Sequence, residues 1–204
     1  MNTYTNLQAQ VTYNLGNRTD ISTYVSRWVN WAYNDLWNVL DVRNKEATAT
    51  GTVTSGTSYI AKPAGVGQIL RMTVDGKPLE RREWREYSDI TTFAEAAPTK
   101  YYLFSTNIYF DTEPDDTYAY VLYYIKTFTA LSAGSDTPSL PDDFEAALVT
   151  RATAYGYRDL QMPDEFAAWW NASEAQVAGL RQQYFKEVED WNRGLRLEIR
   201  RRTR

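Results

Sequence analysis

The spacing of apolar residues in the first 40 positions predicts two amphipathic helices. Leu7, Val11 and Leu15 recur four residues apart, which is the spacing of one helix face. A longer stripe follows in "ISTYVSRWVNWAYNDLWNVL" (residues 21–40), where apolar residues return every three or four positions. We therefore expect residues 1–44 to form the N-terminal helices of a bundle.

Residues 129–141 are interpreted as a loop, and helical spacing returns after this loop and lasts to about residue 193. Asp142 and Glu145 have the spacing of a capping box at the start of one predicted helix, and Pro163 separates that helix from the last one. The last helix has the most regular stripe in the chain, formed by Phe166, Trp170, Ser173, Val177, Leu180, Tyr184, Val188, Trp191 and Leu195. Residues 128–193 are therefore predicted to be the C-terminal helices of the same bundle.

Residues 45–127, between these helical regions, have the pattern of β-strands. Asp75-Gly76 lies between two strand-like runs, as in a tight hairpin. Two strands are expected around Thr106-Asn107, and a short helix in "REWREYSDITTFAE" (82–95). We expect four to six strands. The predicted fold is α+β, with a bundle of three or four helices, a long C-terminal helix, and a mostly antiparallel β insertion between the N-terminal and C-terminal helices.

The composition removes several kinds of chemistry. The 204 residues include no Cys and no His, which excludes disulfides, thiolate or imidazole metal ligands, and Ser-His-Asp or Cys-His catalysis. Asp115-Asp116 is interpreted as a turn and Asp142-Asp143 as a helix start, because a glycosidase needs two acids facing each other across a cleft. "PAGVGQ" (63–68) is interpreted as a strand connection and not as a phosphate loop. We predict no catalytic, metal-binding or cofactor-binding residues, and no cofactor.

The aromatic content points to packing and interfaces. The chain contains seven Trp and sixteen Tyr. Trp28, Trp31 and Trp37 are expected near one face of the second helix, which favours a core or subunit interface over a surface that stacks on sugars. A carbohydrate-binding or glycan-degrading module is the function that the sugar-stacking alternative implies.

The charge is distributed unevenly along the chain. The last twelve residues hold six Arg and one Glu, so the first 192 residues carry −9 while the whole chain carries −4. Gly194 is expected to end the long helix, and beyond it apolar and charged residues alternate as in a strand. We predict a basic arm on residues 194–204. It could be a solvated terminus, a docking arm for a partner, or a DNA-binding segment. The residues expected to dock are Leu195, Arg196, Leu197, Ile199, Arg200, Arg201 and Arg202.

The order of these motifs resembles that in tailed-bacteriophage head–tail adaptor proteins, also called connector or head-completion proteins. "LGNRTDISTYVSRWVNWAYNDLWN" (15–38) is similar to their first long helix with its Leu-Gly cap. "SGTSYIAKPAGVGQILRMTVDGKPLERR" (55–82) and "APTKYYLFSTNIYFDTEPDDTYAYVLYYIK" (97–126) are similar to their strand blocks. "LSAGSDTPSLPDDFEAALVTRATAYGY" (131–157) is similar to the loop and helix before their last helix. The resemblance covers about residues 5–190.

The resemblance implies a structural virion protein that is not an enzyme. Such proteins form a ring, typically of twelve subunits, that lies below the portal, extends the DNA channel and provides a platform for the tail. The implied partners are the portal protein, other copies of the chain, a tail tube, nozzle or stopper protein, and DNA that passes through the lumen without sequence-specific binding. The C-terminal arm would reach the portal. A tail-tube or stopper component is the alternative within the same class.

The resemblance also implies a location at the head–tail junction. No apolar run approaches the length of a membrane span, and "MNTYTNLQAQ" (1–10) lacks the features of a secretion signal. We therefore expect synthesis in the host cytoplasm and no membrane partner.

Overall fold

The computed structural model describes residues 1–39 and 45–202, with side chains as far as residue 183. The helices in this part of the chain are α1 (Tyr4–Asn14), α2 (Ser22–Val39), α3 (Trp84–Ser88), α4 (Glu145–Asp159) and α5 (Pro163–Arg202). The strands are β1 (Glu46–Val53), β2 (Tyr59–Ala61), β3 (Val66–Val74), β4 (Lys77–Pro78), β5 (Glu80–Arg82), β6 (Lys100–Phe104), β7 (Asn107–Phe110) and β8 (Tyr118–Lys126). The predicted α+β class with a long C-terminal helix is confirmed.

The chain divides into two compact units. Met1–Leu40 and Ala130–Arg204 form one, called the helical unit below, and Asp41–Thr129 form the other, called the β unit. The helical unit is therefore built from both ends of the sequence.

Helix α4 is the centre of the helical unit. Every residue from Ala147 to Ala154 is buried, so the middle of this helix is covered on all sides. Contacts along its length show that α1 runs parallel to it, whereas α2 and α5 run antiparallel to it. The contacts that establish these directions pair Asn2 with Glu145, Asn14 with Thr153, Arg27 with Asp159, Asp35 with Arg151, Tyr157 with Trp169, and Arg151 with Ser173.

The β unit contains two four-stranded sheets that share one core. The strand orders are β1-β8-β3-β4 and β2-β7-β6-β5, and each strand pair is antiparallel except β5 with β6. Met72 and Leu122 from the first sheet pack in the same buried cluster as Ile108 and Phe110 from the second. The described part contains more strands than expected because β2, β4 and β5 are only two or three residues long, too short for an alternating pattern to show.

Turn chemistry explains the hairpin between β3 and β4. Asp75 and Gly76 both have positive φ, 46° and 75°, and Val74 pairs with Lys77 across them. Two positive φ angles define the type I′ turn that Asp-Gly favours, so this prediction is confirmed. The β6–β7 turn falls on Ser105-Thr106, because Asn107 already pairs with Phe104.

Two expected helix ends are wrong. A short 3₁₀ turn at Asp142–Phe144 precedes α4, and no side chain caps either element. Glu145 instead accepts a hydrogen bond of 2.7 Å from the backbone N–H of Asn2. Helix α5 does not end at Gly194 but continues to Arg202, so residues 195–199 are not a strand.

Candidate interaction surfaces

A buried arginine ties together α2, α4 and α5. Arg151 is only 5 % exposed, and its Nε donates a 2.9 Å hydrogen bond to Ser173 Oγ. Its Nη2 forms an ion pair with Glu174, and its Nη1 lies 3.7 Å from Asp35 Oδ2. The guanidinium carbon lies 4.2 Å from the ring centre of Trp170. This network satisfies a buried charge with partners from two other helices, as burial of a charge requires.

The sequence carries one signal for this network, the position of its arginine. Arg151 lies three residues after Leu148 and four before Tyr155, on the apolar face expected for α4. A charged residue at such a position needs buried partners. The partners themselves could not be identified, because Asp35 and Glu174 come from distant parts of the sequence.

Tyr155 extends the same network toward the surface. Its hydroxyl donates a hydrogen bond to Asp35. Burial raises the pKa of Tyr155, and the hydrogen bond to Asp35 raises it further, to about 12. The phenol therefore stays protonated at neutral pH and acts as a donor that joins α4 to α2.

An exposed surface on α2 and α4 alternates aromatic rings with guanidinium groups. We call it the aromatic–arginine ladder; it consists of Tyr24, Arg27, Trp31, Arg158 and Tyr155. The Arg27 guanidinium carbon lies 5.3 Å from the Tyr24 ring centre and 4.7 Å from that of Trp31. The Arg158 guanidinium carbon lies 5.1 Å from the Trp31 ring centre and 4.7 Å from that of Tyr155. These are cation–π distances, so each arginine is held between two rings.

Asp159 fixes both arginines of the ladder. Its Oδ2 lies 3.0 Å from Arg27 Nη2 and its Oδ1 lies 3.0 Å from Arg158 Nη2, while Trp28 Nε1 donates a 2.8 Å hydrogen bond to Oδ2. Burial acts to raise the pKa of Asp159, but the hydrogen bonds from Trp28 and Arg158 together with the nearby positive charges lower it. The carboxylate is therefore ionised at neutral pH. A surface cavity of about 530 Å³ adjoins this group.

The three tryptophans of α2 have different environments. Trp28 and Trp37 are 1 % and 5 % exposed, whereas Trp31 is 37 % exposed. The core interpretation is confirmed for Trp28 and Trp37. The expected common face is not confirmed. At about 100° per residue, Trp28 and Trp37 lie half a turn apart around the helix, so α2 is buried over a wide arc. Trp31 lies outside that arc and belongs to the ladder.

The β unit has its own aromatic cluster around α3. Trp84 stacks on Phe104 and Tyr87, with ring centres 4.3 Å and 4.7 Å apart, and it contacts Tyr109 edge-on at 5.0 Å. Tyr109 alternates in β7 with Ile108 and Phe110, which are in the core. These rings therefore hold α3 on the face of the sheet opposite the core. Because they stack on one another, the cluster has a structural role.

Both carboxylate pairs make contacts within the fold, and Asp142 pairs with the distant Met1 amino group. Asp115 accepts a 2.6 Å hydrogen bond from the Tyr118 hydroxyl, which fits the predicted turn. Asp142 and Asp143 lie in the 3₁₀ turn before α4. Across the described residues, no group of three or more acidic side chains is placed to hold a metal ion. The described helices include none with the length and apolar character of a membrane span.

The residues expected to form the docking arm lie where the structure describes the backbone only. Leu195, Arg196, Leu197, Ile199, Arg200, Arg201 and Arg202 belong to the last part of α5. Their side chains lie outside the described residues, so their docking role stays a prediction.

The helical and β units, with structural ion pairs and exposed aromatic and arginine side chains, define a protein suited to assembly with other proteins. The chain belongs to the SU10 adaptor protein family, whose family model matches residues 2–200. The protein is thus a phage head–tail adaptor and a structural component of the virion. No curated protein matches the chain.

Proposed function

We propose that the chain forms a ring of identical subunits, twelve in number, that docks below the portal, extends the DNA channel and provides the platform to which the tail attaches. The observation that carries this proposal is the match to the SU10 adaptor proteins over residues 2–200. The match includes both units and most of α5, so it concerns the whole architecture. The role is structural, and no catalytic step is part of it.

The exposed ladder supports assembly with copies of the same chain. Tyr, Trp and Arg are the residues most enriched at the energetic centres of protein interfaces. Tyr24 and Trp31 are 47 % and 37 % exposed. Each would therefore bury a large apolar area in a contact with another subunit.

The charge distribution supports passage of DNA without adhesion. The first 192 residues carry a net charge of −9. A wall with excess negative charge repels phosphates and gives no counterion release on contact with DNA. The DNA inside the ring would then move freely during packaging and ejection.

Portal binding tests the proposed role directly. The purified chain is mixed with purified portal rings of its own phage, and native mass spectrometry counts the copies bound. We expect twelve copies of the chain on each portal ring. A chain that binds purified tail components but not the portal would instead be a stopper or tail-tube protein. A chain that binds neither would contradict the proposed ring on the portal.

The C-terminal segment is tested by truncation. We propose that residues 195–202 contact the portal; the resemblance to adaptors that attach by a C-terminal arm supports this. A chain ending at Gly194 should keep its helical circular dichroism and lose portal binding by at least about 10-fold. Portal binding equal to that of the full chain would remove this segment from the interface.

A further inference from the structure

We propose that the aromatic–arginine ladder is one half of the contact between neighbouring copies in the ring. The other half is the acidic start of α4, with Asp142 and Asp143, on the next copy. This inference rests on the proposed ring and adds the two surfaces through which its subunits meet.

The ladder is ready to accept carboxylates. Asp159 binds one edge of each guanidinium group, and the aromatic rings cover their faces. Among the described side chains, none accepts a hydrogen bond from Arg27 Nε or Nη1, or from Arg158 Nη1. Hydrogen bonds from guanidinium to carboxylate are among the strongest in proteins. Because the arginines are already held in place, binding would cost little side-chain entropy.

The charge of the ladder specifies an acidic partner surface. Arg27 and Arg158 contribute two positive charges and Asp159 contributes one negative charge, so the group is positive on a chain whose first 192 residues are strongly acidic. A contact between two ladders would bring four guanidinium groups together around only two carboxylates. The charge therefore disfavours a symmetric ladder-to-ladder dimer and favours a contact with a different surface.

The start of α4 supplies such a surface on the same unit. Asp142 and Asp143 are adjacent and exposed, and the Asp142 side chain keeps 83 % of its surface accessible although it contacts the Met1 amino group. Glu145 follows in the first turn of α4. With the amino group included, these three carboxylates leave this end of the unit with a charge of −2.

The two surfaces lie at opposite ends of one helix. Tyr155 and Arg158 belong to the last turn of α4, and Asp142 and Asp143 immediately precede its first turn. The 15 residues of α4 span about 22 Å at 1.5 Å per residue. A subunit that carries complementary surfaces at two separate places can bind the next copy head to tail, and a head-to-tail contact that closes on itself makes a ring.

Charge exchange tests this contact. One variant carries Arg27→Glu with Arg158→Glu, and a second carries Asp142→Arg with Asp143→Arg. We expect each variant alone to assemble at least about 10-fold less tightly than the wild-type chain, both in solution and on portal rings, because each would bring like charges together. An equimolar mixture of the two should recover assembly, since the reversed ladder of one variant then meets the reversed helix start of the other. Sedimentation velocity and native mass spectrometry measure the assembled fraction.

Two further variants keep the result interpretable. Trp31→Ala removes contact area from the ladder without changing its charge and should also weaken assembly. Arg71→Glu with Arg81→Glu makes the same charge change at exposed positions of the β unit and should assemble as the wild-type chain does. Circular dichroism and urea midpoints establish that each variant is folded.

The possible results separate this inference from the proposed function. If the wild-type chain forms rings and both folded charge variants do so equally well, the contact is wrong and the ring stands. If each variant fails alone and the mixture also fails, the ladder and the start of α4 do not contact each other, and the inference is overturned. If the wild-type chain forms no ring in solution or on the portal, the proposed function itself fails.

Discussion

Arg151 combines charge, hydrogen bonding and ring contact in one buried side chain, and its removal should be costly. We expect Arg151→Ala to lower the free energy of unfolding by about 3 kcal/mol, because it removes the packing on Trp170 and leaves the buried Ser173 hydroxyl without its donor. Asp35 and Glu174 can turn toward water, which limits the loss. Urea unfolding followed by circular dichroism measures this loss.

Arg158→Ala is the control. The Arg158 side chain is 45 % exposed, so its removal should lower the free energy of unfolding by less than about 1 kcal/mol. Equal losses would contradict a structural role for Arg151.

The carboxylate of Asp159 should make stability depend on pH. Its pKa is lowered in the folded chain, so the ionised form favours folding above the ordinary Asp pKa, and this contribution is lost as the pH falls through the folded pKa. Asp159→Asn should therefore be less stable than the wild-type chain by about 1 kcal/mol at pH 7, with a smaller difference near pH 3. Urea midpoints at the two pH values test this. A difference that does not change with pH would show that the charge of Asp159 is unimportant.

At the level of single residues, the sequence predicted burial better than exposure. The spacing identified α2 correctly and predicted that Trp28 and Trp37 lie in a core or subunit interface. It did not separate Trp31 from them, because the width of the buried arc depends on how many helices surround α2. That number is a property of the tertiary structure.

Close helix packing at Gly156 gives a prediction at the level of elements. A Cβ at this position would lie 2.6 Å from Leu15 Cδ1 and 3.2 Å from Trp28 Cζ3, and both of those side chains are buried. Overpacking of this kind costs about 1–3 kcal/mol, more than the gain of up to about 1 kcal/mol in helix propensity. We therefore expect Gly156→Ala to lower the thermal midpoint.

Gly179→Ala is the matched control for that substitution. Gly179 lies in α5, and its Cβ would meet no atom within 4 Å. Alanine should stabilise the helix there by roughly 0.5–1 kcal/mol. If both substitutions shifted the thermal midpoint in the same direction, the close contact at Gly156 would not control the packing of α4.

The end of α5 shows where element prediction failed. The alternation of Leu195, Leu197 and Ile199 with charged residues covers only five positions, too few to distinguish a strand from a helix. Leu, Arg and Glu are all good helix formers, and they continue the preceding turn despite Gly194. The Asp75-Gly76 hairpin was predictable because its signal is the local requirement for two positive φ angles.

At the scale of the whole molecule, the separate core of the β unit predicts local unfolding. Leu122 is fully buried in a cluster made of β-unit residues. Leu122→Ala should lower the free energy of unfolding of that unit by about 2–5 kcal/mol. It should also speed hydrogen exchange in β1, β3 and β8, with little change in α4. Leu148→Ala, in the middle of α4, should give the reverse pattern. Hydrogen exchange with mass spectrometry resolves the two units. Equal acceleration in both would mean that they unfold together.

The sequence indicated the head–tail adaptor class through the order of its motifs. The aromatic–arginine ladder could not be predicted from the sequence. Arg27 and Arg158 are more than a hundred residues apart, and they meet only when α2 and α4 pack side by side. Contacts across such separations depend on which helices are neighbours, and a single chain does not specify that through periodicity.

The enclosure of α4 has a consequence for how this protein can diverge. Exposed positions on α5 can accept many side chains, but Ala147, Ala152, Ala154 and Gly156 are small and buried. Replacement by a larger residue would require simultaneous adjustment in several neighbours. During evolution these positions should be substituted most slowly. A pattern of small residues in the penultimate helix should therefore identify distant relatives after the rest of the chain has lost its similarity.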